Sequence, residues 1–373
     1  MHIALYPGCF DPIHKQHFKI TKTVCQEFSF LKEIWVLINE NSQEKKILTP
    51  FSQRLKMLEI IFSKHQKIKI YPKPISFYTT VLVQKLKKQY PNYNFYLVLG
   101  SDQINRLDEW ANAENLSNLV TFICVSREGH PINKKILQKY SILEMKRLSI
   151  NNFNSNEIKR GWNWKNLDLQ IQKYIIKHSL YFDNILTSQI KNAERIQHCY
   201  NVVELTQTLM KRFDLSAKKS EFYLAALFHD ITKEWSVKQH QTFLIKHNLK
   251  VNKIEKLPKA VWHSFTSAYF VKKELQITES IIFDTIKYHT TARDNFSDFS
   301  KIVFIADKLE LEKKDPFFNK ARELLKNNST SLDILFKETL HAVVEKLNNQ
   351  KKPLTINTKK ACKAYLQNNL HNA

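Results

Sequence analysis

The chain has 373 residues, 43% hydrophobic and 12% aromatic, which is enough for two domains with their own cores and too apolar for a disordered chain. Its formal net charge of +23 raises a nucleic-acid or polyphosphate partner. The lysines are spread along the whole chain, and Gly totals only 4, so a bias of composition is the favoured reading and nucleic acid is not expected as a partner.

There is no run of about eighteen apolar residues and no basic segment leading into a long apolar one. Neither a membrane span nor a secretory signal is therefore expected. Cys9, Cys25, Cys124, Cys199 and Cys362 are scattered, with no C-x-x-C pair. That argues against a disulfide framework or a cysteine zinc site and fits a cytoplasmic protein.

Taken in order, short apolar runs at 3–6, 33–38, 95–99 and 120–125 predict buried strands. Helical patterns at 17–28, 51–63 and 79–89 fall between them. This alternation predicts an α/β Rossmann-like domain, a parallel sheet with helices on both faces. From about residue 184 the strand signal fades. Amphipathic patterns at 193–213, 218–230, 237–247, 265–274, 279–289 and 299–310 predict an all-α domain. The expected division is 1–185 and 190–345, with a C-terminal helix or tail at 346–373. No internal repeat relates the halves.

The first strand runs into Gly8-Cys9-Phe10-Asp11-Pro12-Ile13-His14-Lys15-Gln16-His17. A glycine at a strand end lets the backbone approach a ligand. Asp11-Pro12 makes a turn, and His14 and His17, three apart, share one face of a helix start. Backbone N–H groups and the positive end of the helix then converge with two imidazoles, which suits a polyphosphate. The run resembles the G-x-F-D-P-x-H-x-x-H signature of the nucleotidyltransferase superfamily. The resemblance implies that Gly8 and Phe10 line the substrate site and that His14 and His17 are catalytic. They would hold the triphosphate of ATP and stabilise charge on the transferring phosphorus, with Mg²⁺ on the phosphates.

The third expected strand ends in Gly100-Ser101-Asp102-Gln103-Ile104-Asn105-Arg106-Leu107-Asp108-Glu109-Trp110. This looks like the G-A-D-x-x-x-x-L-x-x-W segment of nicotinate-nucleotide adenylyltransferases, which faces the pyridine nucleotide. It makes Gly100, Asp102 and Trp110 substrate-binding candidates, Trp110 by stacking on a flat ring. A core anchor is the alternative for Trp110. Lys45-Lys46, Phe51-Ser52-Gln53-Arg54, Tyr78-Thr79, Val125-Ser126-Arg127 and Asn154-Ser155-Asn156-Glu157-Ile158-Lys159-Arg160 resemble further segments of the family in order. They add Lys46, Arg54, Thr79, Arg127, Ser155 and Lys159 as substrate-binding candidates. The resemblance spans about 1–183.

The chain also departs from the family. Ser101 replaces Ala, Cys9 replaces Thr or Ser, Asn154 and Asn156 replace Ser and Thr, and Val81 stands where an acidic residue is usual. Lys159 replaces Arg, which keeps the charge and loses the fixed fork. The Gly100–Trp110 run and Ser155 argue against pantetheine-phosphate adenylyltransferase, the main competitor within the superfamily.

The second half holds His198, His229-Asp230, His263, His289 and Asp307, each near an expected helix and too far apart to share one. Imidazoles and carboxylates converging in a bundle core suit Fe, Mn or Zn. A lone histidine on an apolar helix is usually a core residue. An Asp directly behind the apolar runs 224–228 or 302–306, however, is costly unless paired or metal-bound.

The arrangement resembles the HD phosphohydrolase superfamily over about 190–325. More narrowly it resembles the bacterial HD enzymes that cut diadenosine tetraphosphate symmetrically to ADP, on Tyr288-His289-Thr290-Thr291 and Ala306-Asp307-Lys308. The resemblance implies that His198, His229, Asp230, His263, His289 and Asp307 bind one or two metal ions, iron first. Asp230 and Lys233 are then catalytic candidates and Arg293 a phosphate-binding one. Ala292 stands where the family has Gly. A solvated-surface role is the alternative for Lys233.

Together the resemblances imply a two-enzyme chain. One site would join AMP from ATP to nicotinate mononucleotide, and the other would hydrolyse diadenosine tetraphosphate. The alternatives for the second half are a phosphohydrolase for a cyclic dinucleotide or guanosine tetraphosphate, and a non-catalytic nucleotide- or RNA-binding module. A homo-oligomer remains open.

Overall fold

The computed structural model describes residues 1–40, 48–75, 79–110, 112–150, 153–215, 219–251 and 256–366. The chain divides into two compact units, Met1–Tyr181 and Phe182–Ala373.

The first unit alternates strands and helices. In order these are β1 (His2–Gly8), α1 (Lys15–Glu27), β2 (Glu33–Ile38), α2 (Phe51–Phe62), β3 (Ile68–Ile70), α3 (Thr79–Gln89) and β4 (Asn94–Gly100). They continue with α4 (Ser101–Ile104), α5 (Ala113–Ser117), β5 (Val120–Arg127), α6 (Lys134–Lys139), β6 (Ile142–Ile150), α7 (Ser155–Lys159) and α8 (Leu169–Lys177). The sheet order is β3-β2-β1-β4-β5-β6, and every pairing is parallel.

Strands covered on both faces need apolar residues at consecutive positions. Ile3, Ala4 and Leu5 in β1, Val36 to Ile38 in β2 and Phe122 to Cys124 in β5 are fully buried, which is why their runs were readable. Each buried Val, Leu, Ile or Phe among them contributes about 1.5–3 kcal/mol when removed from water. The edge strands β3 and β6 were not anticipated. β3 has three residues, one of them Lys69, and β6 carries Glu144, Lys146 and Arg147. An edge strand exposes one side and carries charge there, so no apolar run marks it.

β1 pairs with both β2 and β4, so the strand order reverses at β1. This is a topological switch point, the place where open α/β sheets bind ligands beyond the strand carboxyl ends. The two strand ends there are Gly8 and Gly100, the starting points of the two motifs.

The second unit is helical, with no strand among its described residues. It comprises α9 (Phe182–Gln189), α10 (Ala193–Arg212), α11 (Lys219–Phe228), α12 (Val237–Lys246), α13 (Trp262–Lys273), α14 (Ser280–Tyr288), α15 (Asp298–Leu309), α16 (Asn319–Lys326), α17 (Leu332–Asn349) and α18 (Ile356–Tyr365). Side-chain caps start several of them. Asn192 accepts from Arg195 N, Ser297 accepts from Ser300 N, and Ser236 with Gln239 forms a capping box. α11 buries Phe222 and the apolar run from Leu224 to Phe228, and α15 buries Ile302 to Ala306 together with Ser300, Lys301 and Asp307. Phe222, Phe228, Phe270, Phe304 and Phe336 fill the core. Among the described residues no helix is long and apolar enough to cross a membrane.

Trp164 joins α7 to α8. Its ring is fully buried, its Nε1 donates to the Ile158 carbonyl at 2.9 Å, and its own carbonyl accepts from Gln172 at 2.9 Å. Trp164→Ala is expected to destabilise the first unit by about 3–5 kcal/mol, and Trp164→Phe by less. Denaturant titration followed by circular dichroism measures this, and an unshifted midpoint for Trp164→Ala would contradict it.

Candidate functional site

In the first unit the Gly8 motif forms a tight loop from β1 into α1. Phe10 is buried in the left-handed region (φ 48°), and its ring lies over Gly8. A Cβ at Gly8 would sit 2.9 Å from that ring, closer than such atoms pack, so any side chain there would push the Phe10 ring aside. His14 is the N-cap of α1 and is buried, whereas His17 is half-buried in its first turn. The two imidazoles stack with centroids 3.7 Å apart, and His17 meets the Phe10 ring edge-on at 5.1 Å. The motif thus aligns both rings at the start of a thirteen-residue helix, beside the switch point.

Asp11 holds this loop to the rest of the unit. Its carboxylate is buried and accepts from Leu48 N at 2.9 Å and Tyr181 OH at 2.8 Å. The Lys159 ammonium lies 3.5 Å away, with both side chains almost fully buried. Burial, followed by the Asp11 charge, pushes the Tyr181 hydroxyl far above its ordinary pKa, so it stays a donor. Ser155 donates to the Pro12 carbonyl at 3.0 Å. The late motif therefore meets the first one through two contacts, and Lys159 faces Asp11.

Arg54 takes a different place from the expected one. It is 1% exposed, and its guanidinium donates to the carbonyls of Thr49 (3.0 Å), Cys9 (2.8 Å), Asn39 (2.7 Å) and Glu40 (3.4 Å). It braces the loops after β1 and β2 from beneath. Arg127, at the end of β5, pairs with Asp102 at 2.9 Å, and its backbone N–H donates to Ser101 Oγ at 2.9 Å. A side chain on Gly100 would collide with the Asp102 carboxylate, so Gly100 lets that pair form. Trp110 is half-buried and packs against the apolar core beside β4 and β5. Thr79 opens α3. Lys45, Lys46 and Tyr78 lie outside the described residues.

In the second unit all six expected ligands converge, from five stretches of chain. His198 stands on α10, His229 and Asp230 directly follow α11, His263 is on α13, His289 caps α14 and Asp307 is on α15. The ligand atoms of His198, His229 and Asp307 lie within 4.8 Å of one another, as do those of His229, Asp230 and His289. His263 Nε2 is 2.9 Å from Asp230 Oδ1. The two triads share His229.

The groups around these side chains leave them able to hold a metal ion. His229 and His289 each place Nδ1 2.7 Å from a carbonyl three residues back, Ala226 and Ile286. A carbonyl can only accept, so Nδ1 carries the proton and each Nε2 turns its lone pair to the centre. His198 Nδ1 lies 3.2 Å from Glu310, the carboxylate–histidine pairing found behind metal-bound imidazoles. Burial lowers the His263 pKa, and burial lowers that of His289 to about 3, so the His289 ring is neutral at neutral pH.

Burial alone would raise the Asp230 pKa, but His263, His229 and Lys233 outweigh it and hold the carboxyl well below its usual range. Burial likewise opposes ionisation of Asp307, and Lys308 with Lys313 overcomes it. Asp230 Oδ1 is buried without a well-formed hydrogen bond, although two ring nitrogens are within 3.3 Å. A donor set of neutral imidazoles and ionised carboxylates fits a divalent transition metal.

Lys233 reaches His263 Nε2 at 2.9 Å and stands at the same cleft. Arg195 contacts Asp230 Oδ2 at 3.1 Å. Arg293 is placed elsewhere. It pairs with Asp284 at 3.3 Å, lies over the Tyr288 ring, and is not among the side chains lining the cleft. Ala292 beside it is left-handed (φ 52°), a conformation glycine adopts more readily. Glu310, Lys308 and Lys313 were missed as functional. Glu310 falls three residues after Asp307, at the cap that ends α15, and that spacing was the available signal.

Comparison with known proteins agrees with this division. A family described as cytidylyltransferase-like matches residues 5–161, and one described as an HD domain matches residues 195–312. A Mycoplasma pneumoniae protein named "Probable nicotinate-nucleotide adenylyltransferase/Ap4A hydrolase" is 27% identical over 82% of this chain and 88% of its own. A protein of the same name from Mycoplasma genitalium is 27% identical over 84% and 88%. A "Probable nicotinate-nucleotide adenylyltransferase" of Bacillus cereus is 33% identical over 35% of this chain and 72% of its own. The chain thus belongs to the nicotinate-nucleotide adenylyltransferase family through its first unit, and its second unit carries an HD domain.

Proposed function

We propose that the first unit transfers AMP from ATP to nicotinate mononucleotide, giving deamido-NAD and pyrophosphate. The second unit, in this reading, hydrolyses diadenosine tetraphosphate symmetrically to two ADP. The observation that carries the pairing is the occurrence, in one chain, of the Gly8 and Gly100 loops at a switch point and the six-ligand His/Asp centre. Relatives named for both activities extend over most of the chain.

The first reaction needs no covalent intermediate. Two substrates held in line at the β1/β4 crevice react by displacement at the α-phosphorus of ATP. His14, His17 and the α1 N-terminus supply positive potential where charge develops. Lys159, Ser155 and Arg127 are suited to the triphosphate, and Gly100, Asp102 and Trp110 to the nicotinate nucleotide. Arg54 keeps the loops after β1 and β2 in position. Mg²⁺ would accompany the ATP phosphates.

In the second unit His198, His229, Asp230, His263, His289 and Asp307 would hold one or two ions, iron first, with Mn or Zn as alternatives. An ion held by these residues would supply an acidified water as the nucleophile at phosphorus. Glu310 orients His198, and Arg195 and Lys308 position Asp230 and Asp307. Lys233 is suited to the substrate phosphate and to a proton transfer at its Nζ.

His17→Ala should reduce pyrophosphate release by about 10²–10³-fold, the scale of one lost transition-state donor. ATP should still bind, as measured by equilibrium titration. Wild-type turnover by this variant would refute the assignment. The double variant His229→Ala, Asp230→Ala should lose its transition metal on elemental analysis and its release of ADP from diadenosine tetraphosphate, while keeping adenylyl transfer. Chelation of the wild-type chain should stop the hydrolysis and added Fe²⁺ or Mn²⁺ should restore it. If metal-loaded wild-type chain leaves diadenosine tetraphosphate intact, the second site acts on another nucleotide or only binds one.

A further inference from the structure

The cleft over the His/Asp centre, about 490 Å³ in volume, extends past the metal-ligand residues. Part of its lining comes from residues 313–347, beyond the stretch that matches the HD domain. Four of its cations already serve the centre. Arg195 and Lys233 face Asp230, and Lys308 and Lys313 face Asp307. Lys346, on α17, is a lining cation paired instead with Asp315 at 2.5 Å, on the loop after α15. That loop is fixed in place by Arg322, whose guanidinium donates to the carbonyls of Lys313 and Asp315. Next to Lys346 the lining becomes apolar, with Phe318, Val343 and Leu347. An ammonium beside an apolar patch is the pairing that a phosphate followed by a nucleoside requires.

We infer that the wall built by Phe318, Val343, Lys346 and Leu347 is a subsite for the distal phosphate and nucleoside of a dinucleoside polyphosphate. Lys346 donates to an oxygen of a phosphate further along the chain than the one at the metal centre. The apolar side chains receive the base or ribose beyond it. The subsite makes the cleft select for length: a mononucleoside monophosphate held at the centre ends before Lys346, and a bridged dinucleotide reaches it. This deepens the hydrolase reading proposed above and rests on it for the position of the reacting phosphate.

Lys346→Met and Asp315→Asn test the inference, because each breaks the ion pair but only one removes the proposed ligand. Asn can still cap the turn at Pro316–Phe318, so the loop is expected to persist. If Lys346 binds phosphate, Lys346→Met raises KM for diadenosine tetraphosphate about tenfold, the worth of one charge-assisted hydrogen bond. Asp315→Asn, which releases the ammonium, leaves KM unchanged or lowers it. An equal rise in both variants would assign the pair a purely structural role and overturn the inference.

A second readout does not depend on hydrolysis. Amine-reactive labelling of the intact metal-loaded chain, read by mass spectrometry at Lys346, should slow several-fold with a methylene-bridged diadenosine tetraphosphate analogue and not with AMP. Equal labelling with and without the analogue would also overturn it. Protection of Lys346 by the analogue in a chain that does not cleave diadenosine tetraphosphate would refute the hydrolase reading and leave the subsite standing.

Discussion

Each half of the chain is organised around carboxylates that burial would penalise unless partners converge on them. An isolated ionised carboxylate in an apolar interior is too costly to persist, so the surrounding elements must arrive with donors or cations. In the first unit Asp11 collects the Leu48 amide, the Tyr181 hydroxyl and the Lys159 ammonium, from three separated parts of the unit. In the second, Asp230 and Asp307 collect imidazoles, a guanidinium and an ammonium group from five stretches of chain. The same contacts that make burial tolerable also bring the reactive side chains together.

The scaffolds differ in how they reach this state. The first unit uses a parallel sheet whose order reverses at β1, so that two glycine-ended strands open side by side. Gly8 and Gly100 are both positions where a Cβ would strike a neighbouring side chain. The second unit has no sheet among its described residues and relies on helix ends. Asp230 follows the end of α11 and His289 caps α14, while α15 carries Asp307 through the middle of the core. The backbone carbonyls near such ends are available to accept from imidazoles, and two of them do so.

Much of this was legible in the residues themselves. The Gly8 and Gly100 runs announced strand ends that meet a ligand because a glycine after an apolar strand leaves a recognisable local pattern, and the strand order then placed both at the switch point. Consecutive apolar residues likewise revealed β1, β2, β4 and β5. The edge strands β3 and β6 left no such trace, since their exposed sides carry Lys69, Glu144, Lys146 and Arg147.

An Asp behind an apolar run marked Asp230 and Asp307, because burying a carboxylate demands a reason. What a linear reading could not supply was the direction of side chains. Arg54 looked like a ligand to substrate from its neighbours in sequence, yet its guanidinium is spent on four carbonyls. Arg293 lies in the expected segment but turns to Asp284. Lys313 comes into view only once the chain after α15 turns back to Asp307.

The two short contacts from His229 and His289 to the carbonyls of Ala226 and Ile286 set the state of these rings in the resting protein. Each ring has its tautomer chosen by its own helix before any ion arrives. Burial also keeps His289 unprotonated across the physiological range. An incoming ion at that ring has no proton to displace and no imidazole to turn over. An ion bound at this position would therefore meet donor atoms already aimed at it.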